Sequence, residues 1–269
     1  MSEIGVVEDT LFVPMIGRIY ASEHCPAILY DETALSLKEK LPSHLLQNDR
    51  QSQYTLLASA SRSANMDRCI REFLERNPEG VIVQLGCGLE TAFYRNDNGK
   101  THWYAVDLPD VIAYRKELLP EAERETCIAG DAFDAAWIRQ IREKEPSAPI
   151  LITASGLFYY FTEEKIHTLF RMLQNYGAVE IVFDTVNRSG MMMMRKKYMK
   201  EVGHEDAEMF FYVDSAAALA EAVGGTAEVL AEEKYYCHIN KRGINLSTRI
   251  NMTVSDLLTM VKMVHLRLQ

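Results

Sequence analysis

The sequence predicts an α/β fold, a doubly wound sheet preceded by a helical segment. Three observations carry that prediction. From residue 79 to 186, short apolar runs alternate with amphipathic stretches, the repeat that calls for a parallel sheet with helices on both faces. The first run, VIVQL at 81–85, opens directly into Gly86-Cys87-Gly88, a tight turn able to press backbone against a cofactor at the mouth of such a sheet. The later runs end on Asp107-Leu108, Asp131-Ala132, Ser155-Gly156 and Asp184. With 269 residues, 48% hydrophobic and 25% charged, one large domain is expected rather than two.

Residues 1–78 lack alternation and predict helix. Met66, Cys69, Ile70, Phe73 and Leu74 recur at helical spacing, and Asn77-Pro78 stops them. VIVQL is the first strand, followed by a helix opened by Leu89, Glu90 and Thr91. THWYAVDLPD gives a second strand, and VIAYRKELLP a helix ended by Pro120. ETCIAGDAF is a short third strand, and DAAWIRQIREKE a helix as far as Pro146. APILITASGLFYYF is an apolar fourth strand running into a loop. TEEKIHTLFRMLQNYG is the clearest helix: Thr162 caps it, Ile166, Leu169, Phe170 and Leu173 form its stripe, and Gly177 ends it. AVEIVFDTV is the fifth strand. Residues 187–224, with MMMMRKKYMK, read as a lid-like helical segment. TAEVLAEEKYYCH and VKMVHLRL, within 225–269, read as closing strands with little helix between them.

A net charge of −9 argues against a nucleic-acid groove, which needs a basic face to displace counterions. Cys25, Cys69, Cys87, Cys127 and Cys237 are scattered, odd in number and without a C-x-x-C pair, as in a reducing cytoplasmic compartment. The opening MSEIGVVEDT is acidic where a signal peptide is basic. No apolar run approaches the ~18 residues of a membrane span, so a soluble chain with no membrane partner is expected. The histidines show no H-E-x-x-H or paired spacing, and no metal is expected.

Ligands of an open α/β sheet sit beyond the carboxyl ends of the strands. Asp107 lies 21 residues after Gly86, the interval for a carboxylate that accepts both ribose hydroxyls of an adenosine. Asp131 can accept from an adenine amino group. Aspartates also follow strands as turn formers and helix caps, so the ordered set carries more weight than any one of them. Those roles fit NAD or S-adenosylmethionine, and two features favour the latter. Thr91 stands where a dinucleotide site places its third glycine, and Glu90 repels a phosphate at that helix start. Arg62, before the first strand, can reach a ligand carboxylate bidentately, although a solvated arginine reads the same.

The segments SRSANMDRCIREFL, VIVQLGCGLETAFYR, WYAVDLPDVIAYRKELLP and ITASGLFYYFTEE, with the opening EDTLFVPMIGRIYASEHCPAILYD, resemble the leucine carboxyl methyltransferase family. Within it they are most similar to the bacterial tetracenomycin-type polyketide O-methyltransferases. The resemblance runs from residue 8 to about 185. Its most specific part is L-G-x-G-L-[DE]-T-x-F-[YW]-R followed by V-D-L-P. It implies a class I methyltransferase fold of about seven strands with the last antiparallel, and S-adenosylmethionine as cofactor. By position, Arg62 would bind the methionine carboxylate, Gly86 and Gly88 would line the methionine moiety, and Asp107 would hold the ribose, with Leu108 counted among the cofactor-binding residues. Asp131 with Ala132 would contact adenine. Ser155 stands where the family carries an acid; it accepts a hydrogen bond but adds no charge beside the sulfonium.

The expected activity is O-methylation of a small aromatic or polyketide-like acceptor. The alternatives are a protein C-terminal carboxyl methyltransferase and a non-catalytic S-adenosylmethionine-binding protein. Tyr159 and Tyr160, after the fourth strand, are candidates for the acceptor site or for packing. Cys87 is expected to offer its backbone to the cofactor rather than its thiol. No residue is nominated as a general base, and His204 reads as a surface histidine. Met191 to Met194 span more than one face of a helix, which suits a lid over an aromatic acceptor, a buried lid core or a homodimer contact. Arg195, Lys196 and Lys197 read as a solvated face.

Overall fold

The computed structural model describes residues 4–41, 51–119, 121–195 and 209–269. Two helices, α1 (Ile4–His24) and α2 (Glu32–Leu37), and a 3₁₀ turn (Lys38–Lys40) precede the long α3 (Gln53–Arg76). Ser52 caps α3 by accepting from Thr55 N at 3.2 Å, and Asn77-Pro78 ends it. Then strand and helix alternate: β1 (Val81–Leu85), α4 (Ala92–Asn96), β2 (Trp103–Asp107), α5 (Pro109–Leu118), β3 (Glu125–Ala129), α6 (Ala136–Lys144), β4 (Ile150–Ala154), α7 (Glu163–Gln174) and β5 (Val179–Val186). The chain closes with α8 (Arg188–Met193), α9 (Ala216–Val223), β6 (Glu228–Lys234), α10 (Leu246–Leu257) and β7 (Val261–Leu268).

The strands form one seven-stranded sheet in the order β3-β2-β1-β4-β5-β7-β6. β1 to β5 run parallel, and β7 is antiparallel to both β5 and β6, as the last strand was expected to be. Every residue of β1, β4 and β5 is buried, so these strands are continuous apolar runs rather than alternating ones. One face packs against α6, α7 and α9 through Trp137, Ile141, Ile166, Phe170 and Leu219. The other packs against α3 through Met66, Ile70 and Phe73. Order reverses at β1, between β2 and β4, which opens a crevice at the carboxyl ends of those strands.

Three elements differ from expectation. The helix after β1 starts at Ala92, so Leu89 to Thr91 form a turn ahead of it. Residues 225–269 hold a twelve-residue helix, α10, where little helix was expected between the closing strands. Asn245 caps it by accepting from Thr248 N at 2.8 Å. Thr248, Ile250, Thr253 and Val254 are β-branched and dilute its helix propensity. In the stretch 187–224, Phe211 and Val213 run extended into the main core, where α9 also packs. Pro120, Lys196, Lys197 and His204 lie outside the described residues.

Candidate active site

Gly86 and Gly88 hold left-handed φ angles of +64° and +45°, which a side chain strains. A Cβ at Gly86 would also stand 2.7 Å from Leu157 Cδ1. Asp107 fixes this loop: Gly88 N donates to Oδ2 and Leu108 N to Oδ1, each at 2.8 Å. Both oxygens keep lone pairs for a further donor. Burial pushes the Asp107 carboxyl above its ordinary range, against those two N–H donors. From beneath, Arg115 of α5 donates through Nη1 to Gly88 O at 3.1 Å and Glu90 O at 2.7 Å, and through Nη2 to Glu125 Oε1 at 2.7 Å. Arg115 and Glu125 are both buried. The loop is therefore set before any ligand arrives. Burial pushes the Cys87 thiol up, leaving it an unreactive spacer between the glycines.

Glu90 sits in a buried network of charges. Its oxygens accept from Arg18 Nη1 at 3.2 Å, Ser63 Oγ at 2.9 Å and Arg95 Nη2 at 2.8 Å. Asp31 accepts from Arg18 Nε and Arg95 Nη1, and Asp67 from Arg95 Nε. Burial works against the Glu90 charge, yet Arg18 and Arg95 hold its carboxyl well below the usual range. It stays ionised at the wall of the crevice, where a cation is favoured and a phosphate is not.

A second buried carboxylate, Asp184 of β5, organises the opposite side. Arg62 Nε donates to Oδ2 at 2.7 Å, the Tyr159 hydroxyl to Oδ2 at 2.8 Å, and Gly156 N to Oδ1 at 2.7 Å. Gly156, with φ +69°, lets the guanidinium approach; a Cβ there would meet Arg62 Nη1 at 2.8 Å. Ala154 pairs with Phe183 across β4 and β5, so Asp184 lies alongside Ser155. Burial, then the Asp184 charge, pushes the Tyr159 phenol well above its ordinary value, so it donates and does not act as a base.

Two cavities meet at this point. The first, about 530 Å³, is lined by Gly86, Cys87, Gly88, Glu90, Asp107, Leu108, Ser155 and Tyr160. The second, about 580 Å³, is lined by Tyr54, Tyr235, Tyr236, Met193, Asn251 and Val254 among others. Ser59, Arg62, Tyr159 and Met194 line both. Each volume suits a small-molecule ligand, whose pockets span roughly 300–1,000 Å³. Arg62, Gly86, Cys87, Gly88, Asp107, Leu108, Ser155, Tyr159 and Tyr160 are thus brought together. Asp131 and Ala132 are not among the residues lining the first cavity: Asp131 is exposed and accepts from Phe133 N at 2.9 Å, and Ala132 O accepts from Trp137 Nε1 at 3.1 Å. Gly130 N donates to Asp107 O at 2.8 Å, which keeps that segment beside Asp107. Arg18, Gln84 and Arg115 were missed, and Asp184, read only as a strand-end acid, was given no role. The role of Asp184 depends on Arg62 and Tyr159, which only the fold brings to it; for the other three there was no local signal.

The first cavity fits S-adenosylmethionine on its own chemistry. It offers a backbone cradle at the glycine turn, a carboxylate with free lone pairs at Asp107, and no phosphate cradle. Gln84 Oε1, buried on its lining, has no partner among the described residues and can take a ligand donor. Such a sheet, with that crevice, defines a class I methyltransferase that uses S-adenosylmethionine. The chain belongs to the leucine carboxyl methyltransferase family, whose model matches residues 6–174. It is 25% identical over 238 residues to an S-adenosyl-L-methionine-dependent methyltransferase, dpfgK, of Gibberella zeae, covering 81% of this chain and 79% of that one. It is 26% identical over 182 residues to the tetracenomycin polyketide synthesis O-methyltransferase TcmP of Streptomyces glaucescens, covering 67% and 66%. A DUF574 family protein of Streptomyces avermitilis shares the fold at a TM-score of 0.60 with 13% identity, covering 94% of this chain and 97% of that one. No described helix is long and apolar enough to cross a membrane, and the described residues hold no His, Cys, Asp and Glu group able to bind a metal.

Proposed function

We propose that this methyltransferase transfers its methyl group to an oxygen of a small aromatic or polyketide-like acceptor held in the second cavity. The observation that carries the proposal is the shared wall: Ser59, Arg62, Tyr159 and Met194 face both cavities, so two ligands meet there. S-adenosylmethionine supplies a methyl group on a sulfonium, and displacement from it needs the acceptor oxygen in line. In this reading Asp107 accepts the ribose hydroxyls, with Leu108 beside it. Gly86, Cys87 and Gly88 give backbone contacts along the methionine moiety. Arg62, held by Asp184, presents its terminal nitrogens to the methionine carboxylate. Asp184 also supplies the negative charge that Ser155 lacks. Asp131 and Ala132 close the adenine end only if their segment moves inward.

The second cavity suits an apolar ring system, with tyrosine and methionine side chains around a few hydroxyls and one amide. No His, Asp or Glu is among its described lining residues. Burial pushes Tyr159 and Tyr236 well above the ordinary phenol range, so neither removes a proton at neutral pH. Among the described residues none serves as a base, so this reading has the acceptor react as its own anion, with the Arg62 guanidinium at the wall. The test is methyl transfer from labelled S-adenosylmethionine to a panel of polycyclic phenols, aromatic acids and peptides ending in leucine. Label in an ether or ester of the aromatic compounds supports the proposal, with a pH profile that follows the acceptor's own ionisation. Transfer to peptide carboxylates alone overturns it, and tight cofactor binding without transfer to any acceptor favours the non-catalytic alternative.

A further inference from the structure

The helix α10 packs on the body of the protein through Thr248, Met252 and Ser255, all buried. Its outward face is apolar: Leu246, Ile250, Val254 and Leu257 stand at i, i+4, i+8 and i+11, followed by Leu258. They are 43–73% exposed. Amphipathic helices turn such a stripe inward, so a stripe turned to solvent marks a contact surface.

We infer that α10 is the centre of a two-fold dimer interface in which it packs antiparallel against α10 of a second copy. The helix is complementary to itself. Across a two-fold axis each helix meets its own sequence in reverse. The pairs Ile250 with Val254 and Leu246 with Leu258 share a midpoint at residue 252. Arg249 and Asp256, the helix's one cation and one carboxylate, stand seven residues apart on one flank, two turns of helix. Their midpoint falls between residues 252 and 253. One axis therefore pairs the apolar stripes and sets Arg249 against Asp256 of the partner subunit, twice by symmetry. The Arg249 guanidinium has no carboxylate partner among the described residues. Asp256 Oδ1 accepts from Tyr236 N at 3.0 Å, which leaves Oδ2 for the pairing.

A stripe of about 18 Å on one helix does not reach the roughly 800 Å² per partner of a stable complex. Met192 and Met193 of α8, each just over half exposed, extend the surface. Met193 and Val254 line the same cavity, so the patch continues around its mouth. The pairing places the second copy's helix beside the opening of that cavity.

Sedimentation velocity from roughly 1 to 100 µM, within the range such modest interfaces reach, tests the interface. The intact chain is expected to show a reversible monomer–dimer equilibrium. Ile250→Glu and Leu246→Glu, both on the exposed stripe, should each give a monomer throughout with an unchanged melting temperature. Arg249→Glu should weaken the dimer roughly tenfold, since two symmetric pairs are lost at once. The exchange Arg249→Glu with Asp256→Arg should recover most of that loss. A parent chain that stays monomeric overturns the inference, as does a dimer that survives both glutamate variants. A charge exchange that recovers nothing overturns the antiparallel pairing.

Discussion

Replacing Asp184 by Asn keeps the shape of the side chain and removes its charge. Asn retains one acceptor oxygen for Gly156 N, but the amide nitrogen that replaces Oδ2 can accept from neither Arg62 Nε nor the Tyr159 hydroxyl, which now share Oδ2. Breaking a buried ion pair from one side costs about 3–5 kcal/mol. The Arg62 side chain keeps 17% exposure, so water recovers part of that and the lower end, about 3 kcal/mol, applies. For a chain of this size each kcal/mol moves the melting point by about 2–4 °C. Asp184→Asn is thus expected to melt about 6–12 °C lower. S-Adenosylhomocysteine binding by calorimetry should weaken roughly tenfold as the guanidinium loses its anchor, a change of about 1.4 kcal/mol. A double-mutant cycle with Arg62→Met separates the pair from its surroundings, with a coupling of about 1–3 kcal/mol expected. Additive effects on stability and binding would refute the claim that Asp184 holds Arg62.

Asp107→Ala should weaken S-adenosylhomocysteine by tenfold or more with the fold intact, because hydrogen bonds to a charged group are worth about 1.5–3 kcal/mol each; an unchanged dissociation constant removes Asp107 from the site. The same carboxyl titrates above its ordinary range because of burial, and in the proposed role ribose hydroxyls would donate to its ionised form. Affinity should therefore fall with decreasing pH while still above the usual carboxylate pKa, and that fall should vanish in Asp107→Ala. Arg115→Met leaves Glu125 buried and unpaired and should cost about 3–5 kcal/mol of stability. Arg115→Met with Glu125→Leu should recover much of it while cofactor affinity stays low, since Gly88 O and Glu90 O still lack their donor. Arg62→Lys should weaken S-adenosylhomocysteine yet leave 5′-methylthioadenosine, which has no carboxylate, nearly unchanged; equal losses would make Arg62 purely structural.

The parallel core was legible because each strand is an apolar run closed by an acid or glycine, a local signal that tertiary context reinforces. The glycine turn and Asp107 were legible for the same reason: their spacing lies within one β-α-β unit. What escaped depends on contacts that spacing does not encode. One such contact is the ion pair of Arg62 with Asp184, 122 residues away. Arg18 and Arg95 meet Asp31, Asp67 and Glu90 only once α1, α3 and the turn after β1 are assembled. The helix α10 was passed over because its regular apolar stripe faces outward and its buried face carries Thr248 and Ser255. The second cavity draws on residues from α3, α8, α10 and the turn after β6, a convergence that no linear pattern announces.

The long interval between Arg62 and Asp184 has a bearing on how the protein is made. A ribosome adding about 5–20 residues per second delivers Asp184 about 6–24 s after Arg62. Arg18 finds Asp31 after only 13 residues, and Asp67 waits 28 residues for Arg95. Asp184 reaches Arg62 only after the fifth strand leaves the exit tunnel, with β6, α10 and β7 still to follow. Nascent chains halted before and after that strand should differ sharply in resistance to protease.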